Sequence, residues 1–293
     1  PPNTVEKMLN TWTKTMSSST CLSGIELDES QCLIMSGRDI RDYFYQFTVS
    51  PQRCRRNYLA GRLEPEDLEF IFGKKFTEAG YVGLSTLAMG DLNACEFAQG
   101  SHIKLVMSCG GAAMEEILMM HQPSPRGLLS VGVVIDDLVC LEKVLASDVK
   151  NGAYMGASLL DERMERIMAK YEEVGLPTNE KKAFDNSLSS SFWGVQVDGL
   201  KGLVRANETR LWPLLLITVR VCALGLSTVG LLRSLAGSYI SILSLRRRLL
   251  STMNLVFDAI AASSSDRQVL RLSGALIDEL FTMMILSSLS VVN

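Results

Sequence analysis

The chain has 293 residues, of which 47% are hydrophobic and 21% charged, a composition typical of a globular protein with a sizeable core. Its formal net charge of -3 neither indicates nor excludes a nucleic-acid partner, because local basic patches can exist without a global positive field. The seven cysteines include no C-x-x-C pair, which argues against a disulfide framework or a zinc site. With no signal-peptide pattern either, we expect an intracellular protein of cytoplasm or nucleus that is not secreted.

The N-terminal part combines an amphipathic stretch with a polar run, and then changes to an apolar strand pattern. VEKMLNTW and SSST indicate a linker or edge segment over residues 1–32. The run CLIM leads into RDIRDYFYQF, where β-branched and aromatic residues favour a strand followed by a short helix or turn. We place the end of this strand at Asp39, with Asp42 as the competing carboxylate.

The next segment, at about residues 51–86, interleaves basic and aromatic side chains. Its basic residues are Arg53, Arg55, Arg56, Arg62, Lys74 and Lys75. Such a mixture is typical of surfaces that contact single-stranded nucleic acid. Nearby acids, including Glu64 and Glu66, leave a simple solvated face as the alternative.

Helical patterns dominate the rest of the chain. Helices are predicted over residues 92–120, with a break at Gly110-Gly111, and over 161–175, and strands are predicted around Asp198-Gly199. Residues 201–293 show a helical pattern without strand signals. The apolar stretch at 211–232 nearly reaches membrane-spanning length, but Arg220 in its middle favours a buried helix pair.

The most informative stretch is SVGVVIDDLVCLEK, residues 130–143. Two apolar runs flank Asp136 and Asp137, which predicts a tight hairpin with both aspartates at its tip. Aspartate is common in turns, so the pair alone is a weak signal. A strand ending at Asp39 beside this tip would gather three mutually repelling carboxylates, a set that Mg²⁺ or Mn²⁺ normally neutralises.

Five motifs follow one another in a characteristic order between residues 33 and 200. They are DIRDYF (39–44), LAMGDLNACEFAQ (87–99), VVIDDLV (133–139), GLPTNEKK (175–182) and FWGVQV (192–197). Together they resemble the palm of a reverse transcriptase of a retroelement, related to long-terminal-repeat retrotransposon and retroviral polymerases. The sequence departs from the usual pattern at Ala88-Met89, at Cys95 and at Val134-Ile135.

The resemblance implies a fold and a domain order. The fold is α+β, a right-hand polymerase palm with an antiparallel sheet and packed helices, partial fingers and a helical thumb- or connection-like tail. Residues 1–32 are then partial fingers or linker, residues 33–200 the palm with a fingers segment inserted at about 51–86, and residues 201–293 the helical thumb- or connection-like region.

The resemblance also implies roles for individual residues. The catalytic set is Asp39, Asp136, Asp137 and Lys182, and two Mg²⁺ or Mn²⁺ ions are held at Asp39, Ile40, Asp136 and Asp137. The substrate-binding residues are Ile40, Phe44, Gly90, Asn93 and Gln99, and the primer-binding residues are Phe192, Trp193 and Gly194.

The implied activity is RNA-directed DNA polymerisation. The implied partners are dNTPs and an RNA or DNA template with a DNA primer. No membrane partner is expected. We expect the chain to be part of a longer polyprotein. Two alternatives stay open: a degenerate or domesticated polymerase fold that binds nucleic acid without catalysis, and a structural or membrane-associated protein that uses the apolar helical tail.

Overall fold

The computed structural model describes residues 15–91 and 93–292. The predicted amphipathic stretch VEKMLNTW lies outside the described residues. The strands are β1 (Gln31–Asp39), β2 (Tyr58–Leu63), β3 (Gly80–Gly83), β4 (Leu129–Val134), β5 (Asp137–Leu145), β6 (Val149–Lys150), β7 (Ala153–Tyr154), β8 (Phe184–Ser187), β9 (Ser189–Phe192), β10 (Val195–Asp198), β11 (Leu203–Ala206), β12 (Leu226–Thr228), β13 (Val269–Arg271) and β14 (Val291–Val292).

The helices connect and cover these strands. The α-helices are α1 (Ser19–Leu22), α2 (Pro51–Cys54), α3 (Pro65–Phe72), α4 (Ala94–Ser108), α5 (Leu159–Glu173), α6 (Glu208–Leu224), α7 (Val229–Leu243), α8 (Asn254–Ala261) and α9 (Gly274–Ser288). Short 3₁₀ segments occupy Tyr43–Gln46, Met114–Glu116, Ala146–Asp148, Glu180–Lys182 and Ser244–Thr252.

The central sheet has the order β4-β5-β1-β8, and its strand pairs are antiparallel. Side chains of β1 alternate between two cores, because successive residues of a strand point to opposite faces. Cys32 and Ile34 pack with residues of α4 and α5, whereas Leu33 and Met35 pack with residues of β10 and β11. This burial on both faces explains the uninterrupted apolar runs CLIM in β1 and LVCL in β5. The predicted α+β fold with an antiparallel sheet and packed helices is confirmed.

The basic and aromatic segment folds as a small unit of its own. After α2, strands β2 and β3 pair antiparallel on either side of α3. Many of its apolar side chains stay outside the core, and the Phe70 side chain is 90% exposed. The unit therefore presents aromatic surface between the end of β1 and the start of α4.

Helices α6 to α9 enclose a separate core, with Leu232, Tyr239, Leu243 and Leu280 fully buried. The prediction that residues 201–293 contain no strands is wrong: β12 pairs with β13, and β14 adds to β11. Strands of two or three residues are too short to show a period in the sequence.

The apolar stretch at 211–232 is divided between two helices. Helix α6 ends before Gly225, whose φ of +61° is the left-handed conformation typical of a helix C-terminus. Within residues 15–91 and 93–292, no helix is long and apolar enough to cross a membrane.

Candidate active site

Three aspartates meet at one edge of the central sheet. Asp39, the last residue of β1, lies directly opposite Asp137, the first residue of β5. The Ile40 amide donates a hydrogen bond to the Asp136 carbonyl oxygen at 3.0 Å, which holds the turn against the end of β1. Asp42 is exposed beyond the strand, with a φ of +54°, so the choice of Asp39 over Asp42 agrees with this register.

The hairpin turn is shifted by one residue from its predicted position. Ile135 and Asp136 form the turn, and Asp137 belongs to β5, so the placement of both aspartates at the tip is wrong. The φ of Ile135 is +57°. A β-branched residue in this region is strained, so local propensity does not predict this turn and tertiary contacts must enforce it.

Lysine neutralises part of the acidic cluster. The Lys182 ammonium lies 2.6 Å from the Asp39 Oδ2 atom, and only 6% of Asp39 is exposed. The hydrogen bond with Asp39 raises the pKa of Lys182. Asn179 donates its amide proton to the Asp39 carbonyl oxygen at 2.8 Å, which brings the 3₁₀ turn Glu180–Lys182 to the end of β1.

The other two carboxyl groups keep their protons more readily than usual. Burial, followed by the neighbouring Asp136 and Asp39, raises the pKa of Asp137 to about 6. Burial also raises the pKa of Asp136, with a further contribution from the charge of Asp39. One lysine thus faces three carboxylates, and the surplus negative charge is what a divalent cation would relieve.

The donor set fits a magnesium-type ion in its chemistry, because carboxylate oxygens are the ligands that Mg²⁺ and Mn²⁺ prefer. The geometry is not a ready-made cage: in the part of the chain that the structure describes, no group of three or more His, Cys, Asp or Glu residues is arranged to hold a metal ion. The Lys182 ammonium lies against one oxygen of the Asp39 carboxylate, and a metal ion would need that oxygen as a ligand.

The turn is held from behind by helix α4. Gln99 is fully buried; its Oε1 atom accepts the Ile135 amide proton at 2.7 Å and its Nε2 atom donates to the Val133 carbonyl oxygen at 3.0 Å. His102, also fully buried, contacts the Ile135 carbonyl oxygen through Nδ1 at 2.6 Å and the Tyr171 hydroxyl through Nε2. The predicted contact of Gln99 with template or nucleotide stays a prediction, and here its amide is hydrogen-bonded to the hairpin.

The remaining predicted substrate residues lie just after β1 and just before α4. The Ile40 side chain is 1% exposed, and Phe44 lies in the 3₁₀ turn after β1, half-buried against the core of α4 and α5. Gly90, with a φ of +89° and open space around it, precedes Asn93 at the start of α4. Their predicted roles in substrate and metal binding stay predictions.

The predicted primer-binding residues form a second tight hairpin. Trp193 and Gly194 connect β9 to β10 with φ values of +48° and +80°. The Trp193 ring lies on β4, where a Cβ atom at Gly132 would be only 2.0 Å from it. Phe192 stacks on Phe184 at a centroid distance of 6.0 Å. The hairpin is thereby packed against the sheet that carries the aspartates.

A cleft of about 530 Å³ joins the two hairpins. Its lining includes Asp39, Asp137, Lys182 and Trp193, together with two cationic residues that the motifs did not mark, Arg38 and Arg210. The Arg38 guanidinium forms an ion pair with Asp185 at 2.6 Å. The Arg210 guanidinium is exposed, and among the described residues it has no hydrogen-bond or ion-pair partner.

Sequence reasoning also missed His102 and Tyr171. The i, i+3 spacing of Gln99 and His102 places both on one face of α4, which is a usable signal. Arg38 was visible as a charge within an apolar strand. Tyr171 and Arg210 contact the site only through the tertiary fold, so no local pattern marks them.

The fold has counterparts among solved structures. No protein-family model matches the sequence, and no curated protein sequence matches it. A foamy viral protease-reverse transcriptase in complex with an RNA/DNA hybrid aligns with 94% of this chain at a TM-score of 0.57 and 10% identity. The same class of protein in complex with double-stranded DNA gives a TM-score of 0.53 at 10% identity, and its dRH form with double-stranded DNA gives 0.55 at 9%.

The chain therefore has a reverse-transcriptase-like fold. It spans 29%, 45% and 38% of those three chains, in the same order.

Proposed function

We propose that the chain is the polymerase part of a reverse transcriptase, which extends a DNA primer on an RNA or DNA template with dNTPs. The observation that carries the proposal is the juxtaposition of Asp39 and Asp137 in register, with Asp136 in the adjoining turn, at the edge of a cleft that also contains cationic groups. Three clustered carboxylates beside cationic groups suit nucleotidyl transfer, where positioning and charge stabilisation dominate catalysis.

Asp39, Asp136 and Asp137 are the residues that would hold two Mg²⁺ or Mn²⁺ ions, with Ile40 as the further predicted position. When bound, such ions lower the pKa of the primer 3′ hydroxyl and neutralise the triphosphate. Lys182 must then leave its ion pair with Asp39 and bind the triphosphate instead. There its ammonium offsets negative charge or donates a proton to the leaving pyrophosphate. Its 60% exposed side chain leaves it free to move.

The remaining residues bind and orient the substrates. Phe44 would lie under the deoxyribose and exclude a 2′ hydroxyl by its bulk, and Gly90, Asn93 and Gln99 would border the nucleotide and template. Phe192, Trp193 and Gly194 would contact the primer end, where glycine lets a backbone approach closely. The foamy viral proteins, solved with DNA or an RNA/DNA hybrid, support the nucleic-acid partner, and we further propose that the chain belongs to a longer polyprotein.

Primer extension tests this function. The purified chain, supplied with Mg²⁺ or Mn²⁺, dNTPs and a DNA primer on an RNA template, should lengthen the primer, and Asp136→Asn should abolish extension. Asp258→Asn, which changes an exposed aspartate of α8, is the matched control and should extend normally. A folded wild-type chain that binds primer–template but never extends it would favour the non-catalytic alternative.

A further inference from the structure

We infer that Gln99, His102 and Tyr171 form a buried network whose task is to position Asp136 by fixing the turn in front of it. The inference rests on the proposed function, since it assigns these residues to the same site. They are positioning residues, because among the described residues none of their side chains lines the cleft.

The turn in front of Asp136 has a strained backbone. Ile135 has a φ of +57°, a left-handed conformation that an L-residue avoids and a β-branched one avoids most strongly. Both of its backbone polar groups are hydrogen-bonded to side chains of α4, the amide to Gln99 and the carbonyl to His102. Two side chains of one helix thus hold a conformation that Ile135 does not favour by itself.

The proton positions in the network follow from its acceptors. The Ile135 carbonyl oxygen can only accept, so Nδ1 of His102 must carry the ring proton in this contact. Nε2 of the neutral ring then accepts from the Tyr171 hydroxyl. Each ring nitrogen has one partner, and a fully satisfied buried network specifies a single arrangement.

The network is anchored on its far side by the sheet itself. Tyr171 is 1% exposed and lies on α5. The buried Glu142 carboxylate of β5 accepts the amide protons of Leu159 and Leu160 at 3.2 and 2.9 Å, which fixes the start of that helix. A closed path thus runs from β5 through α5 and α4 back to the turn that opens β5.

Asp136 is confined from both sides as a result. The network holds the preceding peptide, and the Ile40 amide holds the Asp136 carbonyl oxygen at 3.0 Å. A displacement of about 1 Å in a catalytic group can reduce a rate by about 100-fold. The network therefore controls the rate of the chemical step without contacting substrate.

Two amide substitutions, each of which imitates one ring nitrogen of His102, separate positioning from packing. His102→Asn places an amide nitrogen near the position of Nδ1 and keeps a donor for Ile135, whereas His102→Gln reaches the position of Nε2 and keeps the Tyr171 contact. We expect His102→Gln to lower kcat by about 10- to 100-fold at unchanged primer–template Kd, and His102→Asn to stay within about 3-fold of wild type.

A second measurement needs no activity. Hydrogen exchange at the Ile135 and Ile40 amides of the metal-free protein should accelerate in His102→Gln and much less in His102→Asn. Tyr171→Phe is a milder substitution that serves if a His102 variant does not fold. It removes only the hydroxyl contact with His102, so it should accelerate exchange by the smaller amount expected of His102→Asn. Tyr239→Phe is the matched control, because it removes another buried hydroxyl, which pairs with Thr218 at 2.6 Å in the C-terminal core. It should leave exchange at the hairpin unchanged.

The outcomes distinguish the two proposals. Equal exchange at Ile135 in wild type, His102→Gln and Tyr171→Phe would overturn the positioning role, whatever the activity. Equal losses of kcat in His102→Asn and His102→Gln would also overturn it and leave His102 as a packing residue. A wild-type chain without primer extension, combined with the expected exchange pattern, would remove the proposed function and keep the network as the element that fixes the turn.

Discussion

Replacing Asp137 by asparagine should make the metal-free protein more stable at pH 8. The pKa of Asp137 is raised to about 6 from its ordinary 3.8, first by burial and then by Asp136 and Asp39. A raised carboxyl pKa means that folding favours the protonated form. The stabilising contribution is present below pH 3.8 and is lost as the pH rises through about 6. Asparagine imitates the protonated form at every pH.

The size of the effect follows from the difference in pKa. Each pKa unit corresponds to about 1.4 kcal/mol, which sets an upper limit of about 3 kcal/mol at pH 8. Because Asp137 is partly accessible to solvent, screening reduces this to about 1–2 kcal/mol. For a chain of this size we expect a rise in Tm of about 2–6 °C.

The assay is thermal unfolding of wild type and Asp137→Asn at pH 8 and pH 4 in a chelating buffer. The gain at pH 8 should largely vanish at pH 4, where the wild-type carboxyl is protonated. Asp258→Asn, on the exposed face of α8, should show neither gain nor pH dependence. A variant that is no more stable than wild type at pH 8, or that keeps its full gain at pH 4, would refute the view that burial and the neighbouring carboxylates disfavour ionised Asp137.

Four further predictions concern the site and its surroundings. Mg²⁺ should raise the Tm of wild type more than that of Asp137→Asn, because the variant lacks one carboxylate ligand. Burial lowers the pKa of His102 to about 4 from 6.5. As the pH falls below 6.5, the unfolded state therefore binds a proton that the folded state does not. The free energy of unfolding, measured in urea, should fall by up to about 3 kcal/mol between pH 6.5 and pH 4. In His102→Asn, which has no imidazole to protonate, it should fall less over the same pH range. Gly132→Ala should lower the free energy of unfolding by about 1–3 kcal/mol and alter tryptophan fluorescence, because the new Cβ would meet the Trp193 ring. Gly100→Ala, on the open face of α4, should raise the free energy of unfolding slightly in the same assay. Arg210→Gln should weaken primer–template binding and reduce the slope of log K against log salt concentration by about one. Arg220→Gln, on the same helix, should change neither the affinity nor the slope. Equal slopes in binding titrations of the two variants would contradict a phosphate contact at Arg210.

The sequence predicts the elements that depend on local pattern. The end of β1 at Asp39, the hairpin that carries VVIDDLV and the two strands around Asp198-Gly199 follow from alternating or β-branched runs punctuated by turn residues. Their convergence could be anticipated because antiparallel pairing places the end of one strand beside the start of the next.

The parts that escaped prediction depend on contacts between distant segments. The one-residue shift of the aspartate turn needs Ile135 in a left-handed conformation, which becomes favourable only once Gln99 and His102 are in place. His102 escaped prediction because the tertiary fold brings its partners to it, a carbonyl oxygen of the turn and the Tyr171 hydroxyl. The Lys182–Asp39 ion pair was likewise invisible, since motif order gives proximity but no distances.

The glycines beneath the second hairpin have a mechanical consequence. A Cβ at Gly37 would lie 2.4 Å from the Phe184 ring, and one at Gly199 would lie 2.0 Å from the Leu33 carbonyl oxygen. Bare backbone of the central sheet is therefore approached directly at these two points, by the Phe184 ring of β8 and by the chain just after β10, while Leu33 and Met35 fill the space beside them. At Gly199 the distance between the second hairpin and the central sheet is thus set by backbone atoms and not by side-chain rotamers. A larger residue at this position should push the hairpin away from the sheet that carries the aspartates.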